Sequence, residues 1–272
     1  MQTPSFIKKG YVVAALIGKG STAEVYRIKD NISGKYFACK ISGQKARLAR
    51  ESELLKRISH PLFPKWHEYV QEEGYACLIM EDIRGGNLHD FLTRRKHLTV
   101  KEALYVTLEL ADGLNFLHEL QPAILYRDLK PANIMLRQDG KVKLIDLGTA
   151  GAERRERAGT PGFSAPEIFL GERQDFTCDI YSLGKVLEAM LIGSEIPTGL
   201  MHIIRAAISE RQEERIPGMR ELIRHLAVYQ DMGKAQIWFH ETRNAKSRVY
   251  REHYLYEKDI WLKPVADYNT PR

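Results

Sequence analysis

Apolar and polar positions change their spacing once along this chain, near Met80. Before that point the apolar residues alternate or form short blocks. YVVAALIGKG and EVYRIKD read as two strands separated by a Gly/Ser/Thr turn, and KYFACKI alternates as a strand should. One stretch, QKARLARESELLKRIS, instead has helical spacing and helix-forming residues. YACLIMEDI predicts a further buried strand, after which Gly85–Gly86 breaks the chain. Beyond the break, KEALYVTLELADGLNFLHEL, DIYSLGKVLEAMLIG, LMHIIRAAISE and MRELIRHLA carry apolar residues at three- and four-residue intervals and predict helices. Short β-like pieces, AILYRD, NIMLR and KVKLIDLG, lie between the first two. From about Tyr229 the chain turns aromatic and charged and reads as an extension. The pattern predicts an α+β fold, a small sheet-rich lobe with one main helix followed by a larger helical lobe.

Composition narrows this only a little. The 272 residues suffice for one large domain or two lobes sharing a cleft. Hydrophobic residues at 44% and charged residues at 28% are ordinary for a globular protein and argue against wholesale disorder. No apolar run approaches the roughly 18 residues that cross a bilayer, and no secretory signal is visible at the N-terminus. Cys39, Cys77 and Cys178 are an odd number without CxxC spacing, which predicts free thiols and a cytoplasmic location. A net charge of +6 suits phosphate handling, nucleic-acid binding or an acidic membrane surface, and selects none of them.

The candidate chemistry lies in four places. IGKGSTAEV, Ile17 to Val25, sits between two predicted strands, and its glycines let backbone amides approach phosphate. A dinucleotide-binding reading fails there because a strand follows the loop where that motif needs a helix. The other common phosphate loop is excluded by the missing GK[ST]. Lys40, in the apolar strand FACKI, needs an anionic partner if enclosed, and Glu51 on the next helix is a candidate. YRDLKPANIML followed by KLIDLGTA places Asp128, Lys130, Asn133 and Asp146 on two turns separated by a short hairpin. Phosphoryl transfer needs these functions: a carboxylate for a hydroxyl proton, a carboxylate and an amide for metal, and a cation for the transferring charge.

The ordered set IGKGSTAEV, FACK, Glu51, YRDLKPAN, DLG and SAPE resembles the eukaryotic-type (Hanks-type) protein kinases over roughly residues 11 to 228. Its wording is most similar to compact bacterial members and to the serine/threonine branch. The resemblance implies a bilobal kinase fold: residues 1–83 as N-lobe and hinge, 84–228 as C-lobe, 229–272 as extension. It implies that Asp128 is the catalytic base with Lys130 near the γ-phosphate, and that Lys40 holds the α- and β-phosphates and pairs with Glu51. Asn133 and Asp146 would bind Mg²⁺, with Mn²⁺ as a substitute. Gly18 and Gly20 would cover the phosphates of ATP. Ile17, Val25, Ala38 and Met135 would wall the adenine, Met80 would be the gatekeeper, Glu81 and Ile83 would present hinge groups, and Asn87 would lie near the ribose. Arg215 would pair with Glu167.

Several features depart from the family's usual wording. Ala23 replaces the third loop glycine, Tyr126 replaces the histidine of HRD, and Leu147 replaces the phenylalanine of DFG; none of these removes a charged group. In the segment TAGAERRERAGTPGFSAPE, Thr149 is the lone hydroxyl between Gly148 and Ala158, while Arg154, Arg155 and Arg157 crowd the centre. Activity is therefore expected to depend little on phosphorylation of this segment, although Arg127 resembles the arginine that reads such a phosphate. Thr160 is expected to bond near Asp128 and Lys130. The extension, with Trp238, Phe239, Tyr250, Tyr254, Tyr256 and Trp261, suits packing on the core, a dimer contact or a regulatory partner. Its interleaved acids argue against nucleic acid. The alternatives to an active Ser/Thr protein kinase are a pseudokinase-like scaffold and a small-molecule phosphotransferase. The retained charged set opposes the first, and the SAPE segment opposes the second.

Overall fold

Alternation of apolar and polar residues builds the first unit's sheet. The computed structural model describes residues 10–95, 97–151 and 159–229, with the short segments 235–237 and 252–254. The chain divides into two units, Met1–Arg84 with Ile145–Gly148, and Gly85–Leu144 with Thr149–Arg272. The first break falls one residue after the predicted boundary at 83. The return of Ile145–Gly148 to the first unit has a physical cause, because Asp146 there bonds to Lys40.

In the first unit, strands β1 (Tyr11–Lys19), β2 (Ala23–Asp30), β3 (Tyr36–Ser42), β4 (Trp66–Gln71) and β5 (Ala76–Glu81) form an antiparallel sheet in the order β1-β2-β3-β5-β4. One face closes over Ile28, Cys39, Ile41, Cys77 and Ile79, with Tyr11, Val13, Tyr26, Phe37 and Tyr75 packed against them. Both core thiols here are free, as is the buried Cys178 of the second unit. Helix α1 (Lys45–Arg57) packs against β4 and β5. Its buried residues Leu48, Glu51, Ser52 and Leu55 are spaced three and four apart, so a glutamate occupies the same face as two leucines. Trp66 Nε1 donates to Ser52 Oγ at 2.9 Å and fixes the helix on the sheet.

The second unit is mainly helical. Its helices are α2 (Leu88–Arg95), α3 (Val100–Glu119), α4 (Pro166–Leu170), α5 (Thr177–Met190), α6 (Thr198–Ala207) and α7 (Met219–Ala227). Helix α3 starts at a full capping box, with Thr99 accepting from the Glu102 N–H and Glu102 accepting from the Thr99 N–H. A small sheet, ordered β6-β7-β8, joins Gly85–Asn87, Ile134–Arg137 and Val142–Leu144. The glycine pair predicted to break the chain thus forms β6. Gly85 has φ 154°, and a Cβ there would meet the Leu136 carbonyl oxygen at 2.0 Å, so only glycine fits. AILYRD forms no strand; Leu125 makes a single bridge to Gly151 and the rest is loop.

Glu167 and Arg215 pair as predicted. Arg215 donates to Glu167 at 2.6 and 2.8 Å and to the carbonyls of Ser209, Glu210 and Thr177, which occupies all five guanidinium N–H donors. Tyr229, the first residue of the predicted extension, packs against Gly199 so closely that a Cβ there would lie 1.8 Å from its hydroxyl. Beyond it only Ala235–Ile237 and Glu252–Tyr254 are described, as an antiparallel pair. The proposed packing of Trp238, Phe239, Tyr250, Tyr256 and Trp261 lies outside the described residues.

Removing one partner of a buried ion pair leaves an uncompensated charge. Arg215→Ala is predicted to lower the stability of the second unit by about 3–5 kcal/mol in urea unfolding. A Glu167→Gln/Arg215→Met double variant should recover most of that loss. A single variant within about 0.5 kcal/mol of wild type, as for a surface change, would show that the pair is dispensable.

Candidate active site

Strand β3 carries Lys40 on the face opposite its core residues Cys39 and Ile41. Enclosure would make an unpaired ammonium costly, and the fold supplies two carboxylates. Lys40 Nζ lies 2.9 and 2.8 Å from the two oxygens of Glu51 and 2.9 Å from Asp146 Oδ1. Burial works against the ammonium, but the charges of Glu51 and Asp146 outweigh it and raise the Lys40 pKa above the usual lysine value. Burial likewise works against the Asp146 carboxylate. Lys40, the Gly148 N–H and Arg47 overcome it and hold Asp146 below the usual carboxylate range. Burial pushes the Glu51 carboxyl up. Of the two carboxylates, Asp146 is the more exposed and so the one open to a further ligand.

Asp146 adopts φ 69°, uncommon for a residue with a side chain, and the neighbouring Leu147 is almost fully buried as the apolar plug. The same turn is gripped a second time. Arg47, one helical turn before Glu51 on α1, donates from Nε to the Gly148 carbonyl at 2.9 Å. No sequence motif pointed to Arg47.

The other nucleotide candidates of this unit follow the sheet register. Val25 pairs with Lys40, Gly18 with Val25, and Ala38 with Met80. Ile17 is exposed on β1, while Ala38 and Ile83 are buried. A Cβ at Gly18 or Gly20 would meet its nearest neighbour at 3.6 Å, and neither has positive φ. The fold therefore does not itself require glycine there, whereas close approach of a ligand would. Glu81 donates its N–H to the Lys65 carbonyl at 2.9 Å, so that N–H is committed within the fold.

Asp82, unremarked in the sequence, anchors this segment. It accepts Arg27 Nε on both oxygens at 2.9 Å and Arg84 Nε at 3.4 Å, with the Arg84 guanidinium over the Tyr36 ring. Arg27 and Asp82 are 55 residues apart and carry no local signal of pairing.

The second unit holds the other candidates in one hydrogen-bonded cluster. Asp128 Oδ1 accepts from the Thr160 hydroxyl at 2.6 Å, and Oδ2 accepts from Lys130 Nζ at 2.8 Å. Lys130 also donates to Thr160 Oγ1 at 2.8 Å, as predicted for Thr160. Asn133 donates to the Asp128 carbonyl at 2.9 Å, which commits its amide nitrogen and leaves its oxygen side as the one able to accept another partner. Ser164 Oγ accepts from the Thr160 N–H and donates to the Arg127 carbonyl, tying the SAPE segment to the loop.

Beneath the cluster, the fully buried Asp179 carboxylate accepts the backbone N–H groups of Tyr126 and Arg127 and bonds His118 Nε2 at 2.8 Å. That explains why DIYSLG follows the loop. His118 was missed, since a histidine on a helix gives no sign of its partner 61 residues away.

Arg127 is fully buried at φ 68°, donating to Gln174 Oε1 and to the Thr149 carbonyl, each at 2.9 Å. The Thr149 hydroxyl is buried as well and donates to the Tyr126 carbonyl. Arg154, Arg155 and Arg157 lie outside the described residues. Met135 pairs with Asn87 in the small sheet. The Asn87 side chain accepts from the Asp90 N–H and donates to the Asp90 carboxylate, so here it caps α2.

The donor set fits a hard divalent cation of the Mg²⁺ kind. Among the described residues no three His, Cys, Asp or Glu side chains gather to hold a metal by themselves. Mg²⁺ is ordinarily taken by one or two carboxylates together with substrate phosphates, and Asp146 supplies one such carboxylate.

Comparison with known proteins points the same way. The family described as the protein kinase domain matches residues 11–235. The chain is 29% identical over 249 residues to a cAMP-dependent protein kinase catalytic subunit of Drosophila melanogaster, covering 84% of this chain and 42% of that protein. It is 33% identical over 209 residues to a cell cycle serine/threonine-protein kinase of Saccharomyces cerevisiae, covering 70% and 29%. With the serine/threonine-protein kinase sgk-1 of Caenorhabditis elegans it shares 32% over 192 residues, covering 65% and 41%. The chain thus spans less than half the length of these relatives.

The Asp146 shift has a direct test. Its stabilising contribution is present above the ordinary aspartate pKa of about 3.9 and is lost as pH falls through the lower folded value. Carbon-13 NMR of the Asp146 carboxyl should show titration below the ordinary range in wild type and an upward move in Lys40→Met. Unchanged titration in the variant would contradict the ion pairing.

Proposed function

Because the chain belongs to the protein kinase family, we propose that it is an active serine/threonine kinase that moves the γ-phosphate of MgATP onto hydroxyls of protein substrates. The observation that carries this reading is the cluster around Asp128. A base must face a hydroxyl and hold a fixed orientation, and three donors from Lys130, Asn133 and Thr160 orient this carboxylate. Lys130, bonded to the same carboxylate, brings a positive charge to the phosphoryl group as charge develops on it.

Lys40, set by Glu51, would take the non-transferring phosphates, and the Asp146 carboxylate and the Asn133 amide oxygen are the groups that would hold the metal. Mg²⁺, when bound, offsets the phosphate charge. The residues of the chain supply position: Asp179 fixes the backbone of Tyr126 and Arg127, and that backbone fixes Asp128. Ser164 and Thr160 join the SAPE segment to the base, which supports a peptide rather than a small-molecule acceptor. The buried Thr149 hydroxyl, already bonded to the Tyr126 carbonyl, supports a weak dependence on activation-segment phosphate. Autophosphorylation is part of the proposal. Three buried free thiols support a reducing compartment such as the cytoplasm.

Mass spectrometry after incubation with MgATP tests the reading. Wild type should acquire phosphoserine or phosphothreonine and label a generic protein substrate, and Asp128→Asn should lower the rate by about 10²–10⁴, the range of a positioned base. ATP binding without any protein phosphorylation would identify a scaffold. Transfer to a small alcohol or aminoglycoside alone would identify a small-molecule phosphotransferase.

A further inference from the structure

Helix α1 holds the Asp146–Gly148 turn at both ends. One end is known from the charge cluster: Glu51 binds Lys40, which binds Asp146. The other end is Arg47. It precedes Glu51 by four residues, so the two side chains lie on one strip of the helix. Its Nε donates to the Gly148 carbonyl at 2.9 Å. A Cβ built on Gly148 would stand 3.2 Å from Arg47 Nε, 3.4 Å from Nη2 and 3.0 Å from Asp146 Oδ1. The guanidinium therefore lies directly over the glycine, beside the carboxylate. The Gly148 N–H closes the turn by donating to Asp146 Oδ1 at 3.0 Å.

A three-residue turn with its first residue at φ 69° does not keep that conformation unaided. Two tethers from successive turns of one helix, one ionic through Lys40 and one to backbone through Arg47, over-determine it. Neither uses a phosphate. Within its own unit the next residue, Thr149, is likewise held through backbone and hydroxyl groups, by Arg127 and the Tyr126 carbonyl. Arg47 also adds to the positive field that keeps Asp146 ionised.

We infer that Arg47 is a positioning residue for phosphoryl transfer, latching α1 to the Asp146–Gly148 turn so that the metal-binding carboxylate is set without a phosphorylated activation segment. The inference rests on the kinase reading for its catalytic meaning. Its structural half, the latch, stands separately. A solvated arginine making one incidental bond would leave both the turn and the chemistry unchanged when removed.

The test uses the full chain as wild type, Arg47→Ala and Arg47→Lys. In Arg47→Ala, kcat should fall about ten- to a hundredfold, the range one charge-assisted hydrogen bond supplies. The Mg²⁺ concentration for half-maximal rate should rise, and KM for a peptide substrate should stay the same. Arg47→Lys should restore part of the loss, since an ammonium can still donate to the carbonyl. Phosphatase-treated wild type should keep its rate. Amide hydrogen exchange over residues 145–149 should speed up in Arg47→Ala, a readout that needs no activity.

Unchanged exchange there would remove the latch. Faster exchange with wild-type kcat and Mg²⁺ dependence would leave a structural tether and overturn the positioning role. Loss of wild-type rate on phosphatase treatment would overturn the independence from phosphate. A wild-type chain that phosphorylates no protein would overturn the kinase reading and with it the catalytic half, while the exchange result would still decide the latch.

Discussion

A lysine ammonium withdrawn from water must find negative charge, and the first unit is organised around that need. Lys40 stands on a central strand whose other face is apolar, so its position follows from the alternation of the sheet. Its partners come from elsewhere: Glu51 from a helix face shared with leucines, and Asp146 from a turn more than a hundred residues later. The turn reaches the strand because the ion pair and the Arg47 bond both favour it there. That is why Ile145–Gly148 groups with the first unit and the flanking residues with the second. A glutamate on the buried face of α1 would be a defect without Lys40; with it, the helix has one preferred rotation on the sheet.

The second unit solves a related problem with a carboxylate. Asp179 is fully buried, and its oxygens are met by two backbone N–H groups and His118. Those amides belong to the residues just before Asp128, so a buried acid on a core helix sets the path of the loop that carries the base. Arg215 and Glu167 hold the SAPE segment in the same manner. Thr160 and Ser164 then join that segment to Asp128 and the Arg127 carbonyl. In both units, charge buried among apolar residues fixes geometry more sharply than apolar packing alone, because each charge tolerates few arrangements. The stability of such pairs and the precision of the site have the same origin.

Much of this was legible in the chain itself. The strands of the first unit, α1 and the four longer helical segments of the second follow from apolar spacing, a local property of backbone geometry. Motif order singled out Lys40, Glu51, Asp128, Lys130, Asn133 and Asp146, and the structure bonds Lys40 to Glu51 and Asp146, and Lys130 and Asn133 to Asp128. The bond of Thr160 to Asp128 and Lys130, and the pairing of Glu167 with Arg215, were anticipated from the family's wording and appear in the structure.

Tertiary structure alone decided the rest. Gly85 looked like a chain break, and a neighbouring strand's carbonyl made it a strand residue instead. Asn87, expected near a ribose, also bonds the Asp90 N–H at the start of α2, which its sequence position did not announce. Nothing in the sequence singled out Arg47, Asp82 or His118, since a side chain's partner across tens of residues leaves no trace in local spacing. Sequence by itself determined which residues are candidates for the chemistry, because reactivity belongs to functional groups. Which of them are held in position, and by what, depended on long-range contacts, since orientation belongs to the packing around a group and not to the group.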